Sequence, residues 1–300
     1  MKIYINKPSL EQGLGGANQF LNCLKKYLNI KKLITESPAD ADIVLFNSHH
    51  NFQQIIDLKK KYPNKKFIHR IDGPMRMYNS MSDTRDDIVY RLNELVSDAT
   101  VFQSQFSKEK NIILGMARPL LNSIILNASD PDIFFKPPNK EKDEKLNIIA
   151  TSWSTNTNKG FEYYKFLDEN LDFSKYKFSF AGRSPIKFLN ITDLGILDSL
   201  ELAAELRKND VYITASKNDP CSNSLIEAVT SGLPALALNS GGHSEIIKNS
   251  DLLFENKEDL LTKIDCLHNN YQYYLENVKI KNILQVTEEY ITFFRKVLEA

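Results

Sequence analysis

Tryptophan occurs once in 300 residues and cysteine only three times, and no run approaches the roughly 20 consecutive apolar residues of a membrane span. The missing run argues against a membrane-spanning helix. Three scattered cysteines, Cys23, Cys221 and Cys266, are too few for a disulfide framework or a thiolate metal cluster and read as reduced thiols. The opening Met-Lys-Ile-Tyr-Ile-Asn-Lys-Pro-Ser lacks the apolar core and small-residue cleavage site of a signal peptide. A cytoplasmic location is expected, with a peripheral position at the inner membrane face as a variant of it. No HExxH pair, Cys/His cluster or full P-loop occurs, so neither a metal site nor an ATPase is expected. Net charge of one sign is also absent, with 38 Lys and Arg against 38 Asp and Glu. The basic clusters are not interleaved with aromatics, which argues against nucleic-acid recognition.

What the chain does contain is alternation. In the first half, strand-like segments at 2–6, 42–46, 66–69 and 99–102 alternate with amphipathic helical runs at 17–28, 52–61, 86–96 and from 104. A charged, Pro-containing stretch, Lys136 to Lys145, then breaks the pattern as a linker does. Strands at 146–150, 177–181, 210–214 and 234–238 follow, with helices at 160–169, 199–208 and 222–231 between them. Such alternation predicts two α/β, Rossmann-like domains with parallel sheets, facing each other across a ligand cleft. The predicted boundaries are 1–135, a linker at 136–145, 146–280, and a C-terminal helix at 281–300. That helix has an apolar face (Val286, Tyr290, Ile291, Phe294, Val297, Leu298) and must dock on the first domain or on a second copy. Charge is uneven as well: residues 1–125 hold 18 Lys and Arg against 12 Asp and Glu. A basic first domain suits an anionic lipid surface or a phosphate-bearing acceptor, or simply keeps a surface soluble.

The densest group of polar residues runs from Asp219 to Glu245. After a strand ending at Thr214, a loop presents Asp219 and a helix opens at Ser222-Asn223-Ser224, whose exposed N–H groups suit a diphosphate. Glu227, one turn in, can accept hydrogen bonds from two vicinal ribose hydroxyls. Taken alone, the same residues are equally an N-cap and a surface carboxylate.

The block as a whole resembles the donor-site signature of retaining GT-B glycosyltransferases, specifically family 4 (glycosyl transferases group 1). The matching parts are Asp219, Glu227-Ala228, Ser231-Gly232-Leu233-Pro234 and Gly241-Gly242-His243-Ser244-Glu245. The resemblance implies a GT-B fold and transfer of a hexose from a nucleotide-diphosphate sugar (UDP- or GDP-linked) with retention, to a glycan, lipid-linked or other acceptor. It implies no metal and no other cofactor. By it, Glu227 holds the ribose and Asp219 the donor sugar, although the family's first acid is usually Glu. Lys159-Gly160 matches its phosphate-binding turn, but Ser154 stands where an arginine is usual, so Arg183 is a candidate replacement, with Asn156 or Trp153 as part of the compensation. Gly15-Gly16 matches its N-terminal glycine loop, where the backbone comes close to the departing diphosphate. His69 and Asp72, at the end of a strand, match a place where a histidine faces the donor sugar. The catalytic candidates are therefore His69, Asp72 and Asp219. The donor-binding candidates are Gly15, Gly16, Asn156, Lys159, Arg183, Ser222, Asn223, Ser224 and Glu227. Asp40-Ala-Asp42 and Asp130-Pro-Asp132 spell the Asp-x-Asp of metal-dependent glycosyltransferases, but neither follows a strand of a nucleotide-binding half. Two other readings stay open: a sugar-nucleotide epimerase on the same fold, and a relative that binds a nucleotide sugar without turnover.

Overall fold

The computed structural model describes residues 1–6, 16–138 and 144–300, and it divides the chain into two compact units. The first comprises Met1–Ala128 and Lys281–Ala300, the second Ser129–Ile280. Residues 129–135, read from sequence as the end of the first domain, group with the second. There the Arg207 guanidinium donates to the Ile133 carbonyl at 3.1 Å and lies over the Phe135 ring.

In the first unit, β1 (Ile3–Asn6), β2 (Ile43–Asn47), β3 (Lys66–Ile71), β4 (Ala99–Phe102) and β5 (Asn122–Ile124) form a parallel sheet in that spatial order. Between them come α1 (Gly16–Ile30), α2 (Phe52–Lys61), the short α3 (Met75–Tyr78), α4 (Arg85–Val96) and α5 (Gln105–Ile113). A parallel bridge, Ile3 to Ile34, extends the sheet beyond β1, on the side away from β2. From β1 the chain thus runs outward through α1, then returns past β1 to start β2. The helices follow this reversal. One core joins Phe20, Leu24 and Leu28 of α1 to Ile5, Leu45, Ile68 and Val101. The other joins Ile55 of α2 and Leu92 and Val96 of α4 to Val44, Phe46 and Phe67. The strands are apolar on both faces because both faces are covered.

The second unit contains β6 (Leu146–Ser152), α6 (Phe161–Asn170), β7 (Tyr176–Gly182), β8 (Thr192–Gly195), α7 (Ser199–Lys208), β9 (Val211–Thr214) and α8 (Asn223–Thr230). It continues with β10 (Ala235–Leu238), α9 (His243–Ile246), β11 (Leu253–Phe254), α10 (Lys257–Asn269) and α11 (Tyr271–Glu276). The parallel order is β11-β10-β9-β6-β7-β8. The chain therefore builds outward from β6 in one direction and then from β9 in the other.

The last helix, α12 (Ile283–Glu299), opens with a reciprocal capping box in which Asn282 and Gln285 exchange bonds to each other's backbone N–H. Its Ile283, Val286, Tyr290, Ile291, Phe294 and Val297 enter the first unit's core beside α1. Of the two sequence alternatives, the helix takes the first: it docks on the first unit. Several lysines of the basic clusters are engaged locally. Lys25 meets Glu36 at 2.6 Å, Lys59 meets Asp98 at 2.8 Å, and Lys65 donates to the Ala39 and Ala41 carbonyls.

Candidate functional site

In open parallel sheets a ligand binds beyond the strand C-termini where the winding direction reverses. In the second unit that point lies between β6 and β9. The loop leaving β6 is shaped by its own side chains: Ser152 Oγ donates to the Ser154 carbonyl, and Asn156 Oδ1 accepts from the Asn158 N–H at 2.8 Å. A single helical turn, Thr157–Lys159, ends at Gly160, whose φ is 73°. A Cβ there would sit 2.1 Å from the Ala215 carbonyl oxygen, so only glycine lets this loop press against the one leaving β9. The Lys217 N–H closes the contact on the Asn158 carbonyl at 2.6 Å. The consequence is chemical: Lys159 Nζ stands 3.3 Å from Asp219 Oδ2, with both side chains mostly covered.

Asp219 is fixed from several sides. Its Oδ1 accepts from the Cys221 N–H at 3.2 Å, and its carbonyl accepts from the Gly242 N–H at 2.8 Å. Asn218 holds a left-handed φ of 56°, and Gly241 (φ 66°) passes so close that a Cβ would lie 2.2 Å from the Asp219 carbonyl oxygen. The two parts of the sequence block are thus in backbone contact. Ser222 caps α8, accepting from the Leu225 N–H at 3.4 Å, and its hydroxyl lies 3.2 Å from that of Ser224. No acidic side chain occupies the first turn of α8, so its positive end is not offset from within the helix.

Glu227 lies inside this helix, only 7% exposed. Burial pushes its carboxyl up to about 8, and no charge or hydrogen bond from a described residue pulls it back. A second buried group was named in the sequence only as part of the motif. His243, wholly enclosed, bonds the Leu238 carbonyl through Nδ1 at 2.8 Å, while its Nε2 has no partner. Burial holds this imidazole below its ordinary range, so it is neutral, and the Nδ1–H bond leaves Nε2 as a bare acceptor. Arg183 follows β7. Its N–H donates to the Ser152 carbonyl at 2.8 Å, and its guanidinium lies 5.4 Å from the Trp153 ring centre.

In the first unit the expectations fare differently. Gly15 lies outside the described residues, and Gly16 is the first residue of α1. His69 is a correction. The strand that the sequence ended at His69 continues to Ile71, which places His69 within β3 at 0% exposure. Its ring stacks on Phe46 at 4.3 Å, Nε2 meets the Ser48 carbonyl at 3.0 Å, and Nδ1 faces the Asn93 amide at 3.3 Å. Burial lowers its pKa to about 3, against the opposing pull of the Ser48 bond and Asp72. This is a neutral core histidine and presents nothing to a sugar.

Asp72, by contrast, stands at the strand's end with Arg70 beneath it. The enclosed Arg70 guanidinium donates to Asp72 Oδ1 (2.7 Å), Asn47 Oδ1 (2.5 Å), Gln103 Oε1 (3.0 Å) and Asn127 Oδ1 (2.7 Å). Asp72 Oδ2 accepts from the Asn47 amide and the Ser48 hydroxyl, each at 2.9 Å. Desolvation alone would raise the Asp72 pKa, but the Arg70 charge and these bonds outweigh it and hold the carboxyl below its ordinary value. Next to it the turn after β2 is strained. Ser48 and Asn51 have φ of 45° and 52°, a conformation non-glycine residues seldom hold unless their surroundings impose it. Between them His49 is half-buried with Nδ1 enclosed and unpartnered, its ring against His50 at 4.5 Å. Burial, then His50 and Arg85, lower its pKa against Asp72 and Asp83. This turn lies where the first sheet reverses, between β1 and β2. Nothing in the sequence marked it, because neither a two-histidine turn nor a left-handed serine has a sequence signature.

Among the described residues no group of three or more His, Cys, Asp or Glu is arranged to hold a metal, and no helix is long and apolar enough to cross a membrane.

Comparison with known proteins places this arrangement. The chain superposes on Anabaena HepE, solved with UDP and glucose, at a TM-score of 0.75 and 12% identity, covering 98% of this chain and 99% of that one. Sucrose-phosphate synthase from Thermosynechococcus elongatus gives 0.70 at 14% identity, covering 96% and 81%. TarM of S. aureus, solved with fondaparinux, alpha-GlcNAc-glycerol and UDP, gives 0.67 at 17%, covering 94% and 59%. At such identities the likeness establishes the fold, which is GT-B. An uncharacterized 41.2 kDa protein in the cps region of Klebsiella pneumoniae is 29% identical over 117 residues, 37% of this chain and 32% of its own length. The matched segment thus spans about a third of that relative. The family model for glycosyl transferases group 1 matches residues 132–282, just over half of the 300. The chain belongs to the glycosyl transferases group 1 family.

Proposed function

We propose that the protein is a retaining family 4 glycosyltransferase that moves a hexose from a nucleotide-diphosphate sugar to a glycan or lipid-linked acceptor, without a metal ion. One observation carries this reading: Lys159, Asp219, the capped start of α8 and the buried Glu227 all lie at the reversal point of the second sheet. A departing diphosphate needs positive charge developed against it, and the Lys159 ammonium and the N–H groups at Ser222–Ser224 supply that. Asp219, locked by Cys221 and Gly242, accepts hydrogen bonds from sugar hydroxyls, and Glu227 accepts them from the ribose. In this reading no described side chain is assigned as a covalent nucleophile. The acceptor oxygen attacks C1 on the face the diphosphate leaves, and the leaving phosphate takes the acceptor's proton.

The test is a thermal-shift panel of UDP-, GDP-, ADP- and TDP-sugars followed by donor-consumption assays. A ligand at 100 times its Kd stabilises by about 2.7 kcal/mol, so one nucleotide series should raise Tm clearly. A flat response to all four would overturn the reading. Enclosure of His69 favours one alternative, a protein that binds a nucleotide sugar without turnover. Donor-dependent Tm shifts with no product from any acceptor would establish that instead.

Within the proposed reading, His49 and His50, both half-buried, are the first-unit imidazoles outside the core, and His49 is the one beside Asp72. His49→Ala is expected to lower turnover tenfold or more with Tm nearly unchanged. His69→Ala should instead cost about 2–4 kcal/mol in urea unfolding, by opening a cavity and stranding its buried partners. Equal stability loss in both variants would refute the distinction.

A further inference from the structure

The donor turn has one cation fewer than a diphosphate calls for. Ser154 brings no charge, and Lys159 is already shared with Asp219. The structure contains a second cation one strand away. β6 and β7 end together, with Ser152 opposite Gly182. Gly182 has a φ of 121°, and a Cβ on it would fall 1.9 Å from the Ser152 carbonyl oxygen, so the two strand ends are as close as backbones come. That closeness brings the next residues, Trp153 and Arg183, face to face. The guanidinium lies over the indole, whose negative π face favours a cation there. Neither group is buried: Trp153 is 42% exposed. Among the described residues Arg183 forms no ion pair with a carboxylate. Its charge is held in place by an aromatic face, which orients a cation without neutralising it.

We propose that Trp153 and Arg183 act as one device in the donor site. Arg183 supplies the second positive charge to the diphosphate, and Trp153 is the positioning residue that aims it. This rests on the nucleotide-sugar reading above. It gives the site's specificity a source, since the pair distinguishes a diphosphate from a monophosphate by charge.

The chain's only tryptophan is Trp153, so its fluorescence reports from this one place. The wild-type protein is titrated with UDP and with UMP, following indole emission and calorimetric heat together; GDP and GMP serve if UDP gives no heat. Arg183→Ala and Trp153→Ala are each expected to weaken diphosphate binding about tenfold, with monophosphate binding changed less than threefold. The double variant should be no weaker than either single one, because the two side chains act together. Arg183→Lys should recover only part of the loss, because an ammonium lacks the flat face that stacks on indole. Diphosphate heat without any change in Trp153 emission, or an equal loss for mono- and diphosphate, would overturn the device and leave the nucleotide-sugar reading standing. Absence of heat with every nucleotide would overturn both.

Discussion

Glu227→Gln is expected to weaken nucleotide binding at pH 8.5 by about 100-fold, since of two hydrogen bonds to a charged acceptor, worth about 1.5–3 kcal/mol each, one is lost and the other becomes a weaker bond to a neutral amide. The same substitution should remove a pH dependence from both binding and stability. Burial raises the folded carboxyl to about 8 from 4.5, so between those values the folded state keeps a proton that the unfolded chain has released. By linkage, stability from this group is intact below pH 4.5 and falls as pH rises to about 8, then levels off. At about 1.4 kcal/mol per pKa unit the total is on the order of 3–5 kcal/mol. The unliganded Glu227→Gln variant should therefore melt progressively above wild type as pH rises through that window. Binding runs the other way. Ribose hydroxyls donating to the carboxylate lower its pKa in the complex, so wild-type affinity should improve with pH up to about 8, while the variant stays flat. A variant that binds as wild type does, or that shows the same pH slope in Tm, would remove Glu227 from the site.

The second large effect is expected at Arg70. Arg70→Met removes the charge facing Asp72 from below and takes from Asn47, Gln103 and Asn127 the donor they share. Breaking a buried ion pair from one side costs about 3–5 kcal/mol, since the remaining charge stays enclosed and unopposed. Urea unfolding followed by far-UV circular dichroism is the proper readout, because Trp153 lies in the other unit and is silent here. The Arg70→Met/Asp72→Asn double variant should recover a substantial part of the loss. Acid should mimic the lesion. The Asp72 carboxyl is held below its ordinary value, so its contribution is present above about pH 4 and disappears as pH falls below it. If Arg70→Met is as stable as wild type, the guanidinium is not what holds β2, β3 and β4 together at this end.

The sequence made some of this legible and hid the rest for physical reasons. The Asp219–Glu245 block could be read because its parts lie close together along the chain, and strand, turn and helix each leave local marks there. Lys159 and Asp219 could be placed on separate loops. That they meet depended on Gly160 touching Ala215, a contact between residues 55 apart that no local pattern encodes. His69 was misjudged by two residues of strand: with β3 ending at Ile71, the side chain at the open end is Asp72, and the histidine becomes core. The Arg70 network was invisible because its partners come from four separate segments. The turn at Ser48–Asn51 gave no sign either, since its left-handed residues are not glycines. Even the winding of the first sheet depends on one bridge at Ile34, too short to stand out as a strand.

The return of α12 to the first unit has a consequence for the order of synthesis. The second unit is continuous in the chain, so it can close as soon as Ile280 has left the ribosome. The first unit cannot. Its sheet and α1 precede the second unit in the chain, but the side chains that cover one of their faces, Ile283 to Val297, follow it. At translation speeds of about 5–20 residues per second, that apolar face waits uncovered for at least several seconds while the entire second unit is produced. The first unit is thus completed only after the second, because its core stays open until Ile283 to Val297 have joined it.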